Sequence, residues 1–270
     1  MSITRLVLRH SPALRVDLRG LTPAACAGLA VTQIEQLRVT HGKQTLPLAE
    51  FFSVSTHDGA DALIFDGDLS RFDRVGWQLA SGRIATSGPV GDHAGGGMTG
   101  GELHVHGRAG DLAACEMAGG SFVVEADVGD FAASTLPGSM DGMRGGCLIV
   151  KGNAGERFGD RMRRGTALVF GDAGDFLASR MVAGSIGIGG AAGAHVGYGM
   201  RRGSVVFAGP APPVAPTFVP ALVEADVLWQ LLARDLARHG GPFAALAARR
   251  TTRHLGDVAA SGKGELIVAM

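Results

Sequence analysis

Short apolar runs bounded by glycine recur between residues 63 and 209. They include Leu103–Val105, Phe122–Val124, Leu148–Val150, Ala167–Val169 and Ile186–Ile188. Each run is too short for a helix and most are rich in β-branched residues, so each predicts a β-strand. Alternation then turns the first and third residues inward, as at Leu103 and Val105 or Ile186 and Ile188. The second residues should face outward, and across the runs they form a ladder of Ala85, His104, Val123, Ile149, Leu168 and Val206. Four of these, Val123, Ile149, Leu168 and Val206, are apolar. An outward apolar stripe needs a cover, which is either the C-terminal part of the same chain or a partner protein.

The runs keep time with two other residue types. Glycines at 82, 101, 120, 146, 165, 184 and 203 are separated by 19, 19, 26, 19, 19 and 19 residues. Methionine repeats with them at 98, 117, 143, 162, 181 and 200. A further motif, G-x-x-G-x-x-x-[GA], follows each strand, for example at Gly152, Gly155 and Gly159. Corners of a narrow coil demand positive φ or leave no space for a Cβ, and glycine answers both. The pattern predicts a mainly β fold, a parallel β-helix of about seven coils at residues 61–209, roughly 30–35 Å long at ~4.8 Å per coil. Methionine fills its core. The extra seven residues lie around Ser134 to Met140 and predict a projecting contact loop.

The flanks lack the repeat. Residues 1–60 predict a small α+β cap over the first coil: strands near Leu6 and Val16, a helix with Thr22 as N-cap and Pro23 at its first position, and a second helix capped by Thr32. A hairpin follows from Leu37–Thr40 and Gln44–Leu48. The prolines of residues 210–220 predict a stiff linker running away from the last coil. Residues 221–270 predict an amphipathic helix over Ala221–His239, then a tail with little structure.

Composition narrows the function. The 25 Lys+Arg residues balance the 25 Asp+Glu residues, and only three of the former are lysine. A neutral chain carries no global field toward nucleic acid or an anionic membrane. Cys26, Cys115 and Cys147 have no metal-ligand spacing and predict free thiols in a reducing cytoplasm. No leader and no apolar run of about 18 residues is present, so neither secretion nor membrane spanning is expected.

Candidate chemistry is sparse. Gly187, Gly189 and Ala192 match a dinucleotide fingerprint, but another coil follows where a helix is required. His104 and His106 share a strand face near His93, with no acidic or thiol partner in their ladder, so a metal site is not expected. Asp111, Asp130, Asp172 and Asp175 sit at corners as turn residues. Serines lack a nucleophile elbow, and no catalytic, cofactor or metal residue is assigned. Arginines, in contrast, align: Arg144, Arg163 and Arg201 follow the methionine, Arg164 and Arg202 come next, and Arg161 and Arg180 precede it. They are either solvated, paired with Asp160 and Asp175, or form a strip that receives carboxylates from a partner or ligand.

The coils from Leu148 to Gly165 and from Ala167 to Gly184 resemble the C subunit of formylmethanofuran dehydrogenase and its counterpart in the bacterial formyltransferase/hydrolase complex. The segments Arg15–Pro23, Gly67–Gly76 and Gly142–Gly146 extend that resemblance over most of the chain, and the bacterial form is the nearer match. The resemblance implies a right-handed, single-stranded parallel β-helix and a non-catalytic scaffold in a cytoplasmic complex. It further implies hydrolase partners of the A and B type and a D-type formyltransferase. Such a complex handles a formyl group on methylofuran or methanofuran in tetrahydromethanopterin-linked formaldehyde oxidation, with a catalytic zinc outside this chain. The alternatives are the C subunit of a molybdenum or tungsten formylmethanofuran dehydrogenase, and an independent β-helix enzyme.

Overall fold

The computed structural model describes residues 2–222 and 225–270. Among them, a mostly parallel sheet of thirteen strands runs through the molecule, beside a four-stranded sheet near the N-terminus. Eight successive strands form the centre of the large sheet: Ala62–Asp66, Arg83–Thr86, Thr99–Val105, Ala118–Val124, Arg144–Val150, Arg164–Val169, Ser185–Ile188 and Ser204–Phe207. Each pairs in parallel with the next. The register follows the repeat: Leu103 lies beside Phe122, Phe122 beside Leu148, and Leu148 beside Ala167.

Neighbouring repeats also meet away from the strands. Parallel bridges join Leu69, Val90, Ala109, Val128, Ala154, Ala173 and Ala192 in one row. A further row of backbone bonds precedes the methionines, where Gly97 donates to Cys115, Arg161 to Ser179 and Arg180 to Tyr198. Corner aspartates contribute a side-chain row. Asp111 Oδ1 accepts the Asp130 amide at 2.9 Å, Asp130 Oδ1 the Glu156 amide at 2.8 Å, Asp172 Oδ1 the Ala191 amide and Asp175 Oδ1 the Ala194 amide, both at 2.7 Å. These aspartates therefore do more than shape their own turn; each satisfies a backbone donor of the following repeat.

The inward positions form one continuous core. Leu103, Val105, Phe122, Val124, Leu148, Val150, Ile186 and Ile188 are buried, and so are all six repeat methionines. A fully buried side chain of this size contributes roughly 1.5–3 kcal/mol, so the ladder, repeated through every strand, dominates the stability.

The ends depart from the sequence reading. Ser2–Leu8 is a member of the large sheet, parallel to Ala62–Asp66 and antiparallel to Phe52–Asp58, so two strands of the region expected to cap the first coil belong to the large sheet itself. The hairpin of Arg38–His41 with Gln44–Pro47 is present. Thr22 caps the helix Pro23–Cys26 by accepting the Ala25 amide. Thr32 is no cap: it lies inside the helix Val31–Glu35, where the Gln33 side chain accepts the Ala30 amide instead.

At the other end the expected proline linker does not run away. Pro212 and Phe218 are buried, and Val219–Pro220 pairs with Thr251–Gly256. The tail, assigned little structure from sequence, supplies Gly264–Ala269, which lies parallel to Ser204–Phe207 as the next rung, and Thr251–Gly256 antiparallel to it. The helix spans Asp226–Ala237; the expected helix start at Ala221 includes residues 223 and 224, which lie outside the described residues.

The three cysteines are free thiols. Burial pushes Cys26 up to about 11 and Cys115 up to about 12; burial, then the Asp235 carboxylate, pushes Cys147 up to about 11. The ordinary value is 9.0, so the unfolded chain releases these protons first. Their contribution to stability is therefore complete below pH 9 and is lost as pH rises through the folded values. Two outcomes follow: denaturation midpoints fall between pH 9 and about 11, and buried Cys26 and Cys115 resist a thiol reagent at neutral pH until the protein is unfolded.

A candidate interface: arginine rows and a covered apolar ladder

The repeat places the arginines in rows because each residue after a methionine makes the same backbone bond. Arg144 donates to the Met117 carbonyl, Arg163 to Met143, Val182 to Met162 and Arg201 to Met181. Arg164, Ala183 and Arg202 occupy the next position along. Small side chains at 182 and 183 thus interrupt two rows of arginine. The result is a depression of about 520 Å³ lined by Arg144, Arg163, Arg164, Val182, Ala183, Arg201 and Arg202. A second hollow of about 390 Å³ continues it past Arg163, Arg201, Arg161 and Arg180 to Met140.

The carboxylates nearby are unevenly shared. Asp160 is buried, and its two oxygens accept from Arg180 Nη2 at 2.9 Å, with Nε of Arg180 at 3.0 Å from Oδ1. Ser179 Oγ donates to the same Oδ1, and Arg161 lies 3.8 Å from Oδ2. Asp141, at the end of the insertion, is 2.5 Å from Arg163 Nε but out of line for a hydrogen bond, so that buried N–H has no acceptor. Arg161 Nη1 contacts Met140 Sδ, which fixes the insertion beside the rows. Asp175, considered as a partner from sequence, is engaged with the Ala194 amide. Among the described residues no carboxylate pairs with Arg144, Arg164, Arg201 or Arg202, and these four are exposed.

The apolar ladder keeps the register expected of it: Ala85, His104, Val123, Ile149 and Leu168 are successive neighbours, Gly187 and Val206 follow, and Ile267 extends it. Of the two possible covers, the chain's own C-terminal segment takes most of it. Leu168, Val206 and Ile267 pack with Trp229, Ala233, Leu236, Phe243 and Leu246, so Leu168 and Val206 are inaccessible to a partner. Ile149 is partly buried at the margin of this cluster, and Val123 lies half-buried beyond it. The glycines of the supposed nucleotide fingerprint serve the same docking. A Cβ on Gly187 would stand 3.0 Å from the Phe243 ring, and one on Gly189 2.5 Å from Pro242. Sequence reasoning missed Phe243 and Gly187 as partners; the one signal was the gap that glycine leaves in the apolar row from Val123 to Val206.

His104 finds an acidic partner outside the ladder, where the sequence reading did not look. Its Nε2 lies 2.7 Å from Glu125 Oε1, and Lys151 Nζ is 2.8 Å from Glu125 Oε2. The Lys151 hydrogen bond, ahead of the one from His104, holds the Glu125 carboxyl below its usual value. His106 stacks on His104 and bonds the Thr86 carbonyl. Among the described residues no group of three or more His, Cys, Asp or Glu is arranged to hold a metal ion. Among them, too, no helix is long and apolar enough to cross a membrane.

No family model matches the sequence. Over 89 residues, 33% of either chain, it is 42% identical to the C subunit of the formyltransferase/hydrolase complex Fhc of Methylorubrum extorquens. Over 102 residues, 36% of this chain and 37% of the other, it is 32% identical to the C subunit of the tungsten-containing formylmethanofuran dehydrogenase 2 of Methanothermobacter wolfeii. These sequence matches span about a third of the curated relatives' length. The structural likeness is far longer. A chain in the crystal structure of the formyltransferase/hydrolase complex of Methylorubrum extorquens with methylofuran superposes with a TM-score of 0.91 at 40% identity, covering 98% of this chain and 99% of that one. With that identity sustained from end to end, and the C subunit common to the sequence matches, the chain belongs to the C-subunit family of formyltransferase/hydrolase complexes and formylmethanofuran dehydrogenases.

Proposed function

We propose that this chain is the scaffold subunit of a cytoplasmic formyltransferase/hydrolase complex, without catalytic residues of its own. The complex would process formyl-methylofuran in tetrahydromethanopterin-linked oxidation of formaldehyde to formate. The observation that carries this reading is the 40% identity to a chain of such a complex over nearly its whole length. Hydrolase subunits of the A and B type and a D-type formyltransferase are the partners, and a catalytic zinc belongs to them.

The architecture suits that role. In this reading residues 61–209 wind as a right-handed, single-stranded β-helix of about seven coils, with 1–60 and 210–270 closing its ends. Three rows of bonds between repeats make such a rod stiff, and its sides offer long ladders on which catalytic neighbours keep a fixed spacing. The cavities lined by arginine hold no acid–base pair aimed at a common point, which favours docking over chemistry.

Co-expression with the A, B and D subunits of the same organism tests the reading. A single co-eluting complex with formyltransferase and hydrolase turnover is expected, and the isolated chain should show neither activity. Turnover by the chain alone, or its failure to co-elute, overturns the proposal. The related dehydrogenases supply the second reading, and metal analysis separates the two: molybdenum or tungsten in the purified complex selects the dehydrogenase, and their absence alongside formate release selects the hydrolase.

A further inference from the structure

We propose that the open arginine rows seat an extended, acidic segment of another subunit, which lies across Val182 and Ala183 with carboxylates reaching the arginines on either side. The proposal rests on the subunit reading above and adds the place and chemistry of one contact.

The chain itself displays the pairing rule. Wherever a carboxylate is at hand, the arginines of these rows take it: Asp160 binds Arg180 through both oxygens, and Asp141 approaches Arg163. Arg144, Arg164, Arg201 and Arg202 are left without one among the described residues, around a depression whose other lining is Val182 and Ala183. Five guanidinium groups converging on one hollow repel each other, and a bound anion relieves that repulsion.

Geometry favours an extended segment over a single ion. Arg163 and Arg201 are two repeats apart, roughly 10 Å at ~4.8 Å per parallel strand, with the small side chains of Val182 and Ala183 between them. One carboxylate has too few oxygens to pair all five guanidinium groups around the hollow, so more than one is needed. In an extended chain, side chains on one face recur about every 6.6–7 Å, so two successive acidic side chains on that face lie close enough to the ~10 Å arginine separation for flexible side chains to pair on either side of the small floor. Nucleic acid is disfavoured because a chain with 25 basic and 25 acidic residues has no net attraction for a polyanion, and Asp141 and Asp160 stand within the patch. The insertion, tied down by Arg161 through Met140, walls one end of the hollow.

The test is made on the assembled complex. The double variant Arg201→Glu with Arg202→Glu changes two exposed side chains that form no ion pair among the described residues, and its thermal midpoint when isolated should stay within about 2 °C of that of the unaltered chain. Its apparent Kd for the remaining subunits should rise about 100-fold or more, and unaltered assembly should weaken steeply with added salt. A photo-crosslinking residue at position 182 identifies the occupant directly, and the captured peptide should come from another subunit and be rich in Asp and Glu. Unchanged affinity of the double variant, or capture of a neutral or basic peptide, or of RNA, overturns the proposal. Normal assembly with loss of methylofuran assigns the arginines to the carrier and overturns it equally. If the unaltered chain binds no other subunit, the subunit reading fails and this contact with it; if it binds them and the variant binds as well, this contact alone fails.

Discussion

Gly129→Ala is expected to destabilise the protein by about 3 kcal/mol, seen as a lowered denaturation midpoint. A Cβ at this position would lie 2.1 Å from Asp111 Oδ1, 2.8 Å from Asp111 N and 2.9 Å from Gly110 C. The carboxylate cannot simply swing away, because the same Oδ1 accepts the Asp130 amide at 2.9 Å. Nor can the backbone retreat, since the Gly129 amide is shared between the Ala109 and Gly110 carbonyls of the preceding repeat. The φ of Gly129 is not positive, so the requirement is for space alone. Gly138 is the contrasting case: its φ is +86° and nothing lies within 4 Å of its missing Cβ, so Gly138→Ala should cost only about 1 kcal/mol. Adding Asp111→Ala to Gly129→Ala should recover part of the loss and no more, because Asp111 N and Gly110 C still crowd the new methyl group. Equal effects of Gly129→Ala and Gly138→Ala would show that corner glycines serve conformation and not close approach.

That distinction separates what the sequence discloses from what it does not. A fixed period reveals which residues share a row, so the inward ladder, the methionine column and the arginine rows are all legible in the sequence. The period cannot say what a corner glycine avoids, because the atom in question, an aspartate oxygen, belongs to the neighbouring repeat. Glu125 escaped notice for a related reason: it stands just past the strand that follows His104 and reaches it diagonally, outside the ladder that sequence alignment of repeats defines. The ends were the least legible. Leu266–Val268 has the apolar character of a rung, yet nothing in the proline linker, helix and loop of residues 208–265 announces that it returns to pair with Val205–Phe207. The hollow among the arginines is legible only in part. Val182 and Ala183 break the rows visibly in sequence, whereas the pairing of Asp160 and Asp141, which decides which arginines stay open, depends on the folded positions.

Phe243→Ala is expected to release the C-terminal cover from the large sheet, at a cost of about 3–5 kcal/mol. Phe243 is fully buried, stands against the space left by Gly187, and meets Phe170 edge-on at 5.6 Å between ring centroids. Its removal opens a cavity between two surfaces that no strand pairing joins directly, since the helix Asp226–Ala237 touches the sheet through side chains such as Trp229, Ala233 and Leu236. The cavity cannot be closed by the helix alone. Trp229 is anchored by its indole N–H to the Arg249 carbonyl at 3.0 Å, and Gln230 by its amide to the Ala247 carbonyl at 3.0 Å, so helix and following loop move as one piece. Hydrogen exchange should therefore accelerate through Asp226–Ala237 and the loop to Ala248 while amides of the inner rungs, such as Phe122 and Leu148, keep their protection. Exposure of Leu168, Val206 and Ile267 should add binding of a hydrophobic dye and a tendency to self-associate. Leu231→Ala supplies the control on the outer face: at 64% exposure it should alter stability by no more than about 0.5 kcal/mol. If Phe243→Ala left exchange in the helix unchanged, the cover would have to be held by the rung Gly264–Ala269 and its antiparallel neighbour alone, with the apolar ladder contributing nothing to its retention.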